Sequence, residues 1–139
     1  MIRGMIVMVS LFFFGPAFAE PNMNPGKWKI TIETKIETEM VGMPDMNIPP
    51  VTHTQCLEKG NLVPQSEEAS QECKISDIEE DGDTISWKII CSGKNGQMEG
   101  TGEVTYRGDS MEGTMGMVIK GANMQVKNII NGRRIGDCD

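Results

Sequence analysis

Met40, Met43 and Met46 recur every third residue in a stretch that also holds Asp45, and His53, the only histidine of the chain, follows soon after. Thioethers are soft donors that suit Cu(I), so three Met and one imidazole would make a soft-metal site. Zn²⁺ is a poorer match, because thioethers bind it weakly and the cysteines are expected to be oxidised. The spacing of three suits a helical turn, while Pro44, Pro49 and Pro50 oppose a helix. The favoured reading of Met40, Met43 and Met46 is therefore packing, with the loop folding its flexible side chains over the open end of a sheet as a lid.

Other residues capable of chemistry are sparse. His53 lies between Thr52 and Thr54 on a strand-like stretch, where a histidine usually packs or faces water rather than serving as a base. No Gly-x-Ser-x-Gly nucleophile turn is present. Glu79-Glu80-Asp81-Gly82-Asp83 gathers acids in a tight turn but lacks the spaced ligands of a calcium loop, and reads as solvated. Arg133-Arg134 would grip an anion or, as the plainer reading, sit at the rim of an acidic protein. The formal charge of −7 gives no electrostatic reason to bind nucleic acid or an anionic membrane. The expectation is a non-catalytic chain with no cofactor.

The elements that would position these residues are strands. Gly108-Asp109 reads as a two-residue hairpin turn with Gly at the first position, as a type II′ turn requires. Pairing Arg107 with Ser110 sets Tyr106 against Met111, Val104 against Gly113, Gly102 against Met115, Gly100 against Met117 and Met98 against Ile119. Every one of these pairs is apolar or glycine, which gives the hairpin one dry face. Gly121-Ala122 repeats the form and sets Met117 against Val126 on that same face. A slip of one residue would send all of these side chains into water, so the register is well specified. Upstream, Ile85, Trp87, Ile89 and Cys91 share one parity, and the turn Gly93 to Gly96 allows two registers that both keep them opposite the dry face. The strand glycines make room for Trp87 and the Met side chains.

Residues 1–19 read as a cleaved signal peptide, with Arg3, an apolar run from Met5 to Phe14, a Gly15-Pro16 break and Ala17-Phe18-Ala19 as a small-x-small cleavage site. The apolar run is short for a membrane span, so no anchor is expected after cleavage. Residues 20–139 then form a single β domain. In it, Trp28, Ile30, Ile32 and Ile36 alternate with charged and Thr residues, the pattern of a half-buried antiparallel strand. Met40 to Pro50 reads as an exposed loop and Val51 to Leu57 as a short strand, while a short helix is expected after Pro64. Cys73 to Glu80 and Thr84 to Cys91 read as a hairpin around a three-residue turn, Asp81-Gly82-Asp83. That register leaves Asp77 opposite Trp87 and Ile78 on the wrong face, which a bulge between Ile75 and Ile78 would resolve.

Four Cys in a short exported chain imply two disulfides. The hairpin register places Cys73 directly across from Cys91, and Cys56 then pairs with Cys138 by elimination. No Cys-x-x-Cys spacing suggests a metal or redox site.

A set of short motifs spans nearly all of residues 20–139. It comprises Pro25-Gly26-Lys27-Trp28, Gly42-Met43-Pro44-Asp45-Met46, Cys56-Leu57, Glu72-Cys73-Lys74, Trp87 through Cys91, Gly100 through Tyr106, Gly108-Asp109-Ser110 and Gly132-Arg133-Arg134-Ile135-Gly136-Asp137-Cys138. In these the chain resembles a family of exported bacterial proteins known as a domain of unknown function. The resemblance implies one exported, disulfide-bonded β domain and brings no activity or site residues.

Together these readings predict an all-β fold of about seven antiparallel strands in a curved, barrel-like meander, half-open or closed, with a two-layer sandwich as the alternative. The expected function is that of a periplasmic or secreted binding or interaction module. Trp28, Trp87 and the loop Met40, Met43 and Met46 are its candidate ligand residues, for an apolar small molecule or a protein segment. Cu(I) binding and an enzyme of unspecified type are the alternatives.

Overall fold

A computed structural model of the chain describes residues 15, 20–38, 41–42, 44–65, 72–93 and 96–139. The expected signal segment, apart from Gly15, and the expected helix after Pro64, from residue 66 on, lie outside them. Seven strands are present: β1 (Gly26–Thr38), β2 (Met46–Leu57), β3 (Glu72–Asp81), β4 (Thr84–Gly93), β5 (Gly96–Arg107), β6 (Ser110–Ile119) and β7 (Met124–Gly136). They form one antiparallel sheet in the order β2-β1-β7-β6-β5-β4-β3. β3 to β7 are consecutive hairpins, and β1 inserts between β7 and β2. The sheet is open, with β2 and β3 as its edges, so closure into a barrel does not occur among the described residues.

The two turns with clear signatures set their registers as expected. Arg107 pairs with Ser110, Tyr106 with Met111, Gly102 with Met115 and Met98 with Ile119. Gly108 carries φ 67°, the left-handed value that a primed turn needs at its first position. Met117 faces Val126, and Cys91 faces Met98.

Two expectations change. The β3–β4 turn is the two-residue Gly82-Asp83, because Asp81 pairs with Thr84. The residue gained there is absorbed by a bulge between Ser76 and Glu79, in which Asp77 takes φ 51°. Asp has a short polar side chain and tolerates the left-handed region better than most residues. The stretch Met46 to Pro50 is not loop but the first half of β2. The register shift lies between Ile32 and Thr34, which puts Pro49 and Pro50 opposite the single residue Glu33. Proline lacks an N–H, and a bulge on an edge strand is one of the few strand positions that tolerates it.

The side chains of Trp28, Ile30, Ile85, Val104, Tyr106 and Ile130 are fully buried or nearly so on one face, hereafter the inner face. Trp28 and Tyr106 meet edge to face with ring centroids 5.7 Å apart. Their strands are three positions apart in the sheet, about 14 Å if it were flat, so the sheet curls around its inner face. Close packing accompanies the curl. A methyl group at Gly102 would run into the Trp87 ring, and one at Gly132 would run into Met111.

Met23, Leu57, Leu62 and Val63 close this core from above. Tyr106 Oη donates a 2.5 Å hydrogen bond to the Leu62 carbonyl, and the Gln55 side chain bonds Val63 O and Gln65 N. Cys56 is bridged to Cys138 with Cα atoms 5.6 Å apart, and Cys73 to Cys91 with Cα atoms 4.0 Å apart.

Candidate functional site

Cross-strand pairing lays the inner face out in rows. One row runs Ile32, Ile130, Gly113, Val104 and Ile85. The next runs Thr34, Asn128, Met115, Gly102 and Trp87, and the one beyond it Ile36, Val126, Met117, Gly100, Ile89 and Ile75. The Thr34 hydroxyl donates to Asn128 Oδ1 at 2.8 Å, a polar pair set in an otherwise apolar surface.

Up to the first row the face is sealed. Beyond it, on the side of β2, it is open. Val51 faces Ile32, Ile48 faces Thr34 and Met46 faces Ile36, so all three point to the inner side. They remain 55 %, 42 % and 54 % exposed. Ile36, Val126, Met124, Ile119 and Met98 continue this surface half-buried. The result is an uncovered apolar strip along one edge of a curved sheet, with Met prominent in its lining.

At its inner end the strip meets His53, which faces Ile30 from β2. Its Nε2 is buried and has no hydrogen-bond partner among the described residues. A buried polar atom without a partner is uncommon in a folded protein. Thr38 Oγ1, which faces Met124 toward the opposite end, is a second such atom, so an unpartnered polar group stands at each end of the apolar strip.

The structure separates the residues that the sequence groups as candidates. Trp28 and Trp87 are 0 % and 2 % exposed, and the Trp28 indole donates to Asn24 O, so both belong to the core beneath the strip rather than to its surface. Met46 lies on the strip, while Met40 and Met43 lie outside the described residues. Met46 faces Ile36 and His53 faces Ile30, so about 20 Å of strand lies between them and they do not meet at one ion. The His/Cys/Asp/Glu cluster found among the described residues is Cys56, Glu58 and Cys138, whose sulfurs are joined in the disulfide. The acidic turn has a structural task, since Asp83 Oδ1 accepts the Asn22 N–H at 2.8 Å and ties down the lead-in to β1. Sequence reasoning missed Ile48 because the prolines masked the first half of β2 as a loop, and it placed Val51 on a strand without assigning it to a site. The alternation Met46, Ile48 and, past the Pro-Pro bulge, Val51 is the signal that would have shown them.

A family model described as "Protein of unknown function (DUF3617)" matches residues 23–138. The chain belongs to the DUF3617 family. No curated protein and no solved structure matches it. Its two disulfides mark an oxidising, extracytoplasmic environment. No helix among the described residues is long and apolar enough to cross a membrane.

Proposed function

We propose that this DUF3617 domain is an exported, periplasmic, non-catalytic binding module that holds an apolar chain with one polar end along β2. The observation that carries the reading is the uncovered strip of Val51, Ile48 and Met46 leading to the unpartnered His53 Nε2. Binding pockets are mostly apolar with a few placed polar groups, and this strip has that make-up. Flexible thioethers at Met46, Met98, Met115 and Met124 suit a ligand of irregular shape. An added β-strand is a poorer occupant, because the Pro49-Pro50 bulge interrupts the outer edge of β2. Export by residues 1–19 is consistent with the disulfides, and the single histidine and absence of a nucleophile motif favour binding over catalysis.

The test is a titration of oxidised residues 20–139 with a fluorescent fatty acid. Saturable binding is expected, weakened about tenfold or more by Val51→Glu, since a carboxylate would be desolvated against the chain. Val118→Glu is the matched control, because Val118 is equally exposed but faces outward next to Gln125. Absence of binding, or equal weakening by both variants, would refute the reading.

A further inference from the structure

Arg133 and Arg134 are adjacent on β7 and therefore face opposite sides of the sheet. Arg134 is occupied: Nε donates to Pro25 O at 2.8 Å and Nη2 pairs with Asp137. Arg133 lies on the outer face. Pairing sets it beside Lys29 of β1 on one side and Ser110 of β6 on the other, and Ser110 beside Arg107 of β5. One cross-strand row thus carries three cations on four strands.

Like charges directly opposite on a sheet destabilise it, and Lys29 and Arg133 are such a pair. Neither has a carboxylate within ion-pair distance among the described residues, and only Arg107 is neutralised, by Glu112 at 2.9 Å. This concentration of positive charge stands in a protein of net charge −7. The row also has shape. Lys29, Arg133, Arg107, Ser110, Asn131 and Glu112 line an outer-face groove of about 450 Å³, and Met111 and Gly132, whose side-chain positions face inward, contribute backbone to its floor. Asn131 adds an uncharged amide donor between the cations, and the Ser110 hydroxyl, which donates to Arg107 O at a long 3.4 Å, turns to the ligand in the bound state.

We propose that this groove binds a phosphoryl group, a doubly charged oxyanion that would neutralise the Lys29–Arg133 pair. The Arg133 guanidinium presents a planar fork to two of its oxygens, Lys29 supplies a point charge from the neighbouring strand, and Ser110 and Asn131 bond the remainder. Glu112 competes for Arg107 and limits affinity. The site is on the opposite face from the apolar strip and stands independently of it.

A second cation pair on the outer face provides the control. Lys35 and Lys127 also face each other across β1 and β7, but they do not line this groove. The oxidised protein is titrated with inorganic phosphate while backbone amide shifts are followed, and in parallel is floated with vesicles of phosphatidylcholine and phosphatidic acid, whose headgroup is a phosphomonoester. Saturable shifts centred on Ser110, Asn131 and Gly132 identify a free phosphorylated molecule as the ligand. Flotation without such shifts identifies a lipid headgroup. In either case the paired substitution Lys29→Gln/Arg133→Gln weakens binding about tenfold or more, as loss of charge-assisted hydrogen bonds would. Glu112→Gln strengthens it, and Lys35→Gln/Lys127→Gln, the same charge change outside the groove, leaves it within about twofold. Equal weakening by the two double variants would show general attraction to positive charge and overturn the proposal. So would the absence of both shifts and flotation.

Discussion

The Tyr106 hydroxyl joins the sheet to the Leu62-Val63 segment above it through one bond to Leu62 O in a buried setting. Burial raises its phenol above the ordinary value, so it remains a protonated donor throughout the neutral range. Tyr106→Phe removes the donor and leaves the Leu62 carbonyl unsatisfied, at a cost of about 1–3 kcal/mol by urea unfolding near pH 8. The pH dependence follows from linkage. A phenol whose folded value lies above its unfolded value of about 10 loses its proton first in the unfolded chain. Its stabilising contribution is full below about pH 10 and falls as pH rises beyond it. The gap between wild type and Tyr106→Phe should therefore narrow above pH 10. A gap that stayed constant to pH 11 would show that the buried phenol is not the titrating group.

Glycines in the strands separate by face in the same way. Gly102→Ala would press a methyl into the Trp87 ring, and overpacking of this kind costs about 1–3 kcal/mol. Gly116 faces outward with nothing near its Cβ position, so Gly116→Ala should be neutral within about 0.5 kcal/mol or slightly stabilising. Comparable losses from both in thermal unfolding would contradict the assignment of faces.

Among the elements, legibility followed the turns. Gly108-Asp109 and Gly121-Ala122 have primed-turn chemistry, and a one-residue error there would have exposed every Met of β6. Those registers could therefore be read from residues alone, and the Cys73–Cys91 pairing, read from a β3–β4 turn one residue too long, holds because the bulge at Asp77-Ile78 restores the register on the cysteine side. Asp81-Gly82-Asp83 was ambiguous, because a three-residue turn and a two-residue turn with a bulge differ only in where one extra residue sits. The mispairing of Asp77 with Trp87 was the clue that a bulge existed. β2 was half hidden, because Pro49 and Pro50 speak against a strand unless the strand is an edge with a bulge, and edge position is a property of the whole sheet. The strip was legible only as the alternation Met46, Ile48 and Val51; its exposure was not, since that depends on which strand ends the sheet. The groove was half legible, because the two hairpin registers align Arg107, Ser110 and Arg133, while Lys29 joins them only through the insertion of β1 beside β7. Both edges carry a bulge, at Pro49-Pro50 and at Asp77-Ile78, which interrupts the flat rim that would invite another chain to pair.

At the scale of the molecule, the disulfides divide the work of holding an open sheet. Cys73–Cys91 joins residues 18 apart within one hairpin, while Cys56–Cys138 joins residues 82 apart and ties the end of β2 to the chain's tail. In the chain-entropy account the two contribute about 3 and about 4.5 kcal/mol. Cys56→Ser/Cys138→Ser should accordingly lower the melting temperature more than Cys73→Ser/Cys91→Ser, and calorimetry of the two variants orders them directly. The reverse order would mean that the edge hairpin, rather than the long tether, limits stability.

The curled sheet seals one half of its inner face with the Leu62-Val63 segment and leaves the half beside β2 uncovered. That asymmetry is the basis for reading the domain as a carrier of an apolar chain. The most direct test is native mass spectrometry of the protein exported to a bacterial periplasm and purified without detergent. The account predicts a bound mass of several hundred daltons that organic solvent extracts and that Ile48→Glu/Val51→Glu protein lacks. Wild-type protein that emerges bare, and that takes up no fatty acid when one is supplied, would contradict it.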